Sequence, residues 1–385
     1  MKFTIDSNIF KNKAARAMNL CYTACLPILE SVVICAENGV VSFRSNNLTS
    51  DVTITSMDGH ITEEGVAAVH ADGIKKLTNI KGYLTFETTD NSIIVSNGKK
   101  KMQLGCVTDE NEFIPPLATV NNADEPIATI KDFSELLNTL EILKATLSDS
   151  QSKPLYQCYH FDTRGYVESI SGYHALRKSV DWFNDNAKED FSIKGDILKE
   201  LKKIIDKKCN DHKISVYQSK GFITFCGEDF TYSFKRTDGD WLDMDTLLNS
   251  ESRYTLKPDT KDFLEIVKEY KGYITKKAKS PMRIVTQGNS IITFIQNPLI
   301  KTADKIYNDT KVSDDVRIEI GFDPAFMYDV LTAFDKVDEE YTIHGHNAVT
   351  PWRFTGDTLC GVVVPMRLET DMWHEINRFV DGLAA

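Results

Sequence analysis

The stretch Phe191-Ser-Ile-Lys-Gly-Asp-Ile-Leu-Lys-Glu-Leu-Lys-Lys-Ile-Ile-Asp-Lys-Lys208 decides the reading of the fold. An extended segment ends at Ile193, and Lys194-Gly195 turns. Asp196 then stands where a helix N-cap accepts the first free backbone amides. Apolar residues at 197, 198, 201, 204 and 205 build one helical stripe, and Lys199, Lys202 and Lys203 point the opposite way. The unit is strand, tight turn and capped helix, apolar on one side and basic on the other.

The unit recurs. Its last apolar strand residue falls at Ile5 (cap Asn8), Val69 (cap Asp72), Ile130 (cap Asp132 or Ser134), Ile193 (cap Asp196), Leu256 (cap Asp259) and Ile320 (cap Asp323). The intervals are 64, 61, 63, 63 and 64 residues. One capped helix after a strand says little. Six at near-equal spacing mark a repeated architecture.

The 385 residues exceed one ordinary domain and suit two to four. With 42% hydrophobic and 26% charged residues the composition is that of a globular chain. No apolar run reaches the length of a membrane span, and Met1-Lys2-Phe3-Thr4-Ile5-Asp6 reads as a strand start, not a signal peptide. The eight cysteines lie mostly singly in apolar segments with no Cys-x-x-Cys pair, which fits free thiols in a reducing cytoplasm. The net charge of −11 argues against coating nucleic acid with the whole surface, and leaves room for lysine gathered on one face.

Taken in order, residues 1–122 predict strand, helix and three strands, twice over, with a hairpin at Glu37-Asn38-Gly39. Residues 117–125 read as a linker. A second pair of copies fills 126–250, where 238–252 reads as another linker, and a third pair fills 253–368. The fold class is α+β: three similar domains, each of two helix-plus-strands half-domains. With the sheets as an outer wall, the helices line one inner surface. Its cations are Lys11, Lys13 and Arg16 on the first helix, Lys75, Lys76 and Lys81 at the second, Lys199, Lys202 and Lys203 on the fourth, and Lys276 and Lys277 after the fifth. A lysine-rich concave face inside an acidic exterior suits a protein surrounding duplex DNA, because phosphate contact is strong and carries no sequence information.

Catalytic signatures are missing from the sequence. It has no P-loop, no His-Glu-x-x-His and no Rossmann glycine pattern. His344-Gly345-His346 lacks a nearby carboxylate, and His174 has no evident nucleophile partner. The expectation is a protein that is not an enzyme and needs no cofactor or metal. The alternatives are a repeat-built interaction scaffold, or a metal-dependent phosphoesterase using His344 and His346.

Four motifs resemble the bacterial-type DNA polymerase III β subunit, the β sliding clamp family. They are Met1-Lys2-Phe3-Thr4-Ile5, Leu26-Pro27-Ile28-Leu29, Glu319-Ile320-Gly321-Phe322 with Asp329-Val330-Leu331, and Val362-Val363-Val364-Pro365-Met366-Arg367-Leu368. The resemblance covers residues 1–368. It implies a DNA-clamp fold and a homodimeric head-to-tail ring around double-stranded DNA, a processivity factor of DNA replication in the cytoplasm. It also implies DNA polymerase and clamp loader as partners. The interface positions it implies are Met102, Leu104, Tyr273 and Ile274. A peptide-binding pocket falls on Tyr156, Ser171, His174, Leu176, Phe326, Val349, Pro351, Val362, Val363, Pro365, Met366 and Leu368, with Arg367 placed to hold a peptide backbone or carboxylate.

Some residues depart from the family pattern. Gly172-Tyr173-His174-Ala175-Leu176 stands where the family has Asp-Gly-His-Arg-Leu, and Thr23 stands where an arginine usually faces DNA. Residues 369–385 run beyond the family's usual end, with apolar residues at 372, 373, 376, 379, 380 and 383. That pattern predicts a helix with Thr370 as cap, docked on the third domain through Met372, Trp373, Ile376 and Phe379, either for stability or to modulate the pocket.

Overall fold

All six predicted positions are strands leading into helices, and three strands follow each helix. The computed structural model describes residues 1–22, 26–107, 117–118, 120, 124–150, 153–183, 187–205, 213–219, 221–275, 280–287, 289–310 and 318–381. In chain order, β1 (Lys2–Asp6) enters α1 (Ser7–Ala17), and β2 (Ser31–Glu37), β3 (Val40–Asn46) and β4 (Ser50–Ser56) follow. After β5 (His60–Glu63), β6 (Gly65–His70) enters α2 (Ala71–Leu77), followed by β7 (Tyr83–Thr89), β8 (Ser92–Ser96) and β9 (Lys101–Gly105). Next, β10 (Ala128–Ile130) enters α3 (Phe133–Leu143), with β11 (Cys158–Asp162), β12 (Tyr166–Ile170) and β13 (His174–Ser179) behind it. The fourth copy is β14 (Phe191–Lys194), α4 (Ile197–Ile204), β15 (Ile214–Ser219), β16 (Phe222–Cys226) and β17 (Phe230–Lys235), and a short α5 (Met244–Leu248) trails it. The fifth is β18 (Tyr254–Leu256), α6 (Thr260–Tyr273), β19 (Met282–Gln287), β20 (Ser290–Gln296) and β21 (Lys301–Tyr307). The sixth is β22 (Glu319–Phe322), α7 (Pro324–Val337), β23 (Thr342–Gly345), β24 (Trp352–Thr355) and β25 (Leu359–Val363); α8 (Trp373–Asp381) comes last.

The caps correct the sequence reading in detail. Asp6, not Asn8, caps α1, accepting from the amides of Asn8 (2.8 Å) and Ile9 (3.4 Å). His70 Nδ1, not Asp72, accepts the amide of Asp72 at α2 (3.2 Å). At α4, Asp196 is itself in helical conformation and makes no side-chain cap; its carbonyl accepts the Lys199 amide at 2.9 Å instead. Asp132, Asp259 and Asp323 cap as expected, the last two at α6 and α7. The hairpin turn at Asn38-Gly39 has φ of 51° and 76°, both left-handed, as a tight turn between twisted strands requires. Leu26-Pro27-Ile28-Leu29 does not open a strand. Pro27–Glu30 is a 3-10 turn, matched by another at Pro154–Gln157.

Two compact units form: Met1–Leu137 with Trp182–Glu189 and Asp196–Asp238, and Asn138–Asp181 with Asp190–Gly195 and Gly239–Ala385. The first holds a five-stranded sheet, β5-β1-β7-β8-β9, and an eight-stranded sheet, β10-β15-β16-β17-β4-β3-β2-β6. The second holds an eight-stranded sheet, β14-β11-β12-β13-β25-β24-β23-β18, and a four-stranded sheet, β21-β20-β19-β22. Lead strands cross over. β1 pairs with β7 and β6 with β2; β10 pairs with β15 and β14 with β11; β18 pairs with β23 and β22 with β19. Each crossing ties two neighbouring copies together. In the first unit Phe10 of α1 packs between Phe86 (5.1 Å) and Phe43 (5.7 Å), one from each sheet. In the second, Phe161 stacks on Phe191 at 4.7 Å. No helix among the described residues is long and apolar enough to cross a membrane.

Candidate functional site

In the first unit α1, α2 and α4 carry the expected cations. Lys11, Lys75, Lys76, Lys81, Lys199, Lys202 and Lys203 are exposed. Lys75 pairs with Asp72 (2.9 Å), and Lys13 with Asp229 (2.6 Å). Asn19 after α1 donates to the Lys203 carbonyl (3.1 Å), and Tyr232 of β17 donates to Glu200 of α4, so α4 is tied to both α1 and the sheet.

Arg16 does not face solvent. It is 6% exposed, donates Nε to the Ile204 carbonyl, and grips both Asp229 oxygens (2.5 and 2.8 Å). Burial pushes the Asp229 carboxyl up, but the bonds from Arg16 and Lys13 outweigh it and hold the group at about 2. The physical reason is spacing: Phe10, Ala14 and Ala17 form the buried stripe of α1, and Arg16 lies on its margin. Lys276 and Lys277 lie outside the described residues. The basic character is also uneven. The exposed face of α6 carries Lys261 and Lys268 beside Asp262, Glu265 and Glu269, so it is mixed.

The second unit holds the expected pocket residues on two faces of one sheet. β13 pairs with β25 as His174↔Val363, Ala175↔Val362 and Leu176↔Gly361. Alternation sends His174, Leu176 and Val363 toward α7 and Ala175 and Val362 the other way. Leu176 and Val363 are fully buried and therefore floor the sheet, not a groove. His174 stacks on Phe326 of α7 at 4.7 Å, and Tyr173, 61% exposed, stacks on the same ring at 5.4 Å. Tyr173, absent from the expected set, thus builds an aromatic wall.

The sequence offers His174 no nucleophile, yet the structure brings Ser171 Oγ to 2.6 Å from its Nδ1 and Asp329 to 3.5 Å from its Nε2. Ser171 Oγ also accepts the amides of Tyr173 and His174 (both 3.2 Å), which makes it the organiser of the turn. Gly172 in that turn has a φ of +96°, and Tyr156 lies 3.1 Å from where a Cβ would stand.

On the opposite face Ile170, Ala175, Met244 and Val362 form an apolar cluster with Tyr156, Trp241, Leu247 and Leu248 around them. The segment read as a linker therefore packs on this face of the sheet and closes the cluster. Its signal was present: Met244, Leu247 and Leu248 have helical spacing behind Asp243, which caps α5, and Trp241 stands two residues before that cap. A polar clamp fixes α5. Trp241 stacks on His160 (4.7 Å) and donates Nε1 to Glu168 (2.6 Å), while Arg177 bridges Glu168 (2.5 Å) and Asp245. Burial holds His160 down at about 4, so it is a neutral platform.

Val349 is 76% exposed, Pro351 and Pro365 are half-buried, and Met366 and Arg367 are exposed. The Met366 amide donates to Gly321 O at 2.8 Å, and Leu368 covers Gly321. Met102 and Leu104 lie half-buried on the edge strand β9; Tyr273 and Ile274 end α6, where the Tyr273 carbonyl accepts from Asn297 beside β21 (3.2 Å). His344 bonds Thr355 (3.0 Å), and among the described residues no group of three His, Cys, Asp or Glu side chains could hold a metal.

Solved structures with this arrangement are sliding clamps. The chain has the β sliding clamp fold. It matches the DNA polymerase sliding clamp of Bacillus subtilis with a TM-score of 0.80 and 17% identity, over 96% of this chain and 99% of that one. The β subunit from DNA polymerase of Streptococcus pyogenes gives 0.78 and 18%, over 96% and 100%. The Helicobacter pylori β clamp, solved bound to a DNA ligase peptide, gives 0.70 and 14%, over 95% and 100%. In sequence, the chain is 21% identical to the curated beta sliding clamp of Bacillus subtilis over 396 residues, 95% of this chain and all of that one. No family model matches the sequence. The α+β architecture and the resemblance carried by the four motifs are thus borne out.

Proposed function

We propose that the chain is a DNA sliding clamp: two copies close head to tail into a ring around double-stranded DNA and tether a replicative polymerase. The three crossed pairs of copies are its three domains, 1–122, 126–250 and 253–368. The observation that carries the reading is the way copies join. The third strand after a helix pairs with the third strand of another copy: β4 with β17, and β13 with β25. The two remaining third strands, β9 and β21, pair on one side only, with β8 and β20, and are sheet edges on the other side among the described residues. A second copy offers β21 to β9 and β9 to β21, a heterologous contact that closes after two steps. Met102 and Leu104 on one side and Tyr273 and Ile274 on the other flank that seam.

The exposed lysines of α1, α2 and α4 supply sequence-independent phosphate contact. The half-buried Tyr156, Leu247 and Leu248, backed by the buried Met244 and Val362, with the exposed Met366 and Arg367, offer a surface that receives short apolar peptides from polymerase and clamp loader in the cytoplasm. No step of chemistry is asked of the protein. Light scattering over a range of concentrations tests the ring. Twice the chain mass, stable on dilution, followed by retention on circular DNA and release on linearisation, is expected. A monomer that slides off neither substrate differently overturns the reading.

A further inference from the structure

We propose that α8 roofs the ring seam and supplies acidic charge against the edge lysines of a second copy; this rests on the ring reading. α8 lies on the face of the four-stranded sheet opposite α6. Ile376 is fully buried with Val285, Ile292 and Phe294, and Ala303, Met372, Trp373, Phe379 and Val380 pack around them. The α6 face is the other one, where Tyr270 donates to Asp304 (2.8 Å). A strap secures the approach to α8: Arg283 pairs with Glu319 (2.5 Å) and donates to the Thr370 carbonyl (2.8 Å), and Glu319 accepts the Met372 amide (3.0 Å). The helix thus sits against β21, an edge strand paired with β20 on one side and with no strand on the other among the described residues.

The internal repeat fixes what would lie opposite. The first two strands of four groups close at Glu37↔Val40, Thr89↔Ser92, Ser219↔Phe222 and Gln287↔Ser290. Counting from there, Phe43, Val95, Phe225 and Thr293 are equivalent, and their third-strand partners are Ile54, Met102, Tyr232 and Asp304. In the observed join Ile54 meets Phe230 and Tyr232 meets Val52, each two residues before its equivalent. The same register puts Met102 against Thr302, Lys100 against Asp304, and Lys101 against Ala303.

Lys101 shares its face with Gln103, whose amide reaches Ser92 (2.8 Å), and that is the face away from α2. On the opposing strand this is the α8 face. There Lys101 arrives between Lys301 and Lys305, a like-charge meeting. Glu375 of α8 answers it: it pairs with Lys301 (2.6 Å), whose ammonium also lies over the Phe379 ring (5.0 Å). Small Ala303 leaves room for the incoming stem.

A double-mutant cycle on the full chain tests this, reading the dimer dissociation constant by sedimentation at low and high salt. Glu375 is half-exposed, so Glu375→Lys should leave the melting temperature unchanged. With Lys101 in place it should weaken the dimer about tenfold at low salt, and less at high salt. In the Lys101→Glu background the same change should strengthen the dimer or leave it alone. Glu375→Gln should act in the direction of Glu375→Lys, by less. Equal effects in both backgrounds overturn the role of α8 and leave the ring standing. A wild-type chain that is monomeric at every concentration removes the ring and this inference together.

Discussion

Replacing Asp229 by alanine isolates what Arg16 does. The guanidinium is 7% exposed and the carboxylate 25%, and the pair is two-pronged with Lys13 as a third member. Removing the acid leaves a buried cation with the Ile204 carbonyl and a long bond to Asn12 Oδ1 (3.5 Å), a loss of about 3–5 kcal/mol. Against a domain stability of about 5–15 kcal/mol that is a large fraction. With a urea slope of about 1–3 kcal/mol/M, the midpoint should fall by 1 M or more in equilibrium unfolding followed by circular dichroism. The double variant Arg16→Met with Asp229→Leu strands no guanidinium and leaves only Lys13, whose flexible stem can carry its ammonium to solvent, so it should recover most of the lost midpoint. Its DNA association should also keep the wild-type dependence on salt. Were Arg16 a phosphate contact, the slope of log K against log salt would become shallower by about 0.9. That shallower slope, or an unshifted midpoint in Asp229→Ala, would refute the reasoning.

Three further outcomes are expected. Reversing Lys199, Lys202 and Lys203 to glutamate should abolish DNA association at moderate salt while the dimer mass is unchanged, since all three are exposed on α4. His160 is held neutral by burial at about 4, so the unfolded chain takes up the proton first; stability should fall as pH drops from about 6.5 to about 4, and His160→Gln should flatten that fall. Leu248→Asp should weaken binding of an apolar clamp-binding peptide about tenfold or more by fluorescence anisotropy, because Leu248 packs on the cluster around Val362.

The repeat was legible because each copy must start a helix the same way, and caps, turns and a 3.6-residue stripe are local signals. The caps themselves were less so. Asp6 and His70 serve as caps because each helix starts directly after its strand, two residues earlier than the sequence pattern suggests. Arg16 was misplaced because a cation on a helix margin reads the same whether it meets solvent or Asp229, 213 residues away. The pocket set was split by a one-residue alternation. Val362 and Val363 are indistinguishable in a run of valines, and only the pairing with Ala175 and His174 decides which of them faces the α5 cluster and which faces α7. α5 was passed over as a linker because its three apolar residues need a partner surface to form a helix, and part of that surface comes from strands more than sixty residues earlier.

An unpaired strand edge is a standing invitation to aggregate, and long edges are blunted with charge. β9 carries Lys101 behind the exposed Lys99 and Lys100, and β21 carries Lys301 and Lys305. Two copies of β9 would bring lysine against lysine, and two copies of β21 would do the same. The mixed pair is different, because Lys100 can reach Asp304 and Lys101 comes under α8 with its Glu375. Charge therefore discourages both self-pairings and leaves one pairing open, the one that the repeat already uses twice within the chain. A device that only protected edges would need no acid on β21 and no helix behind it.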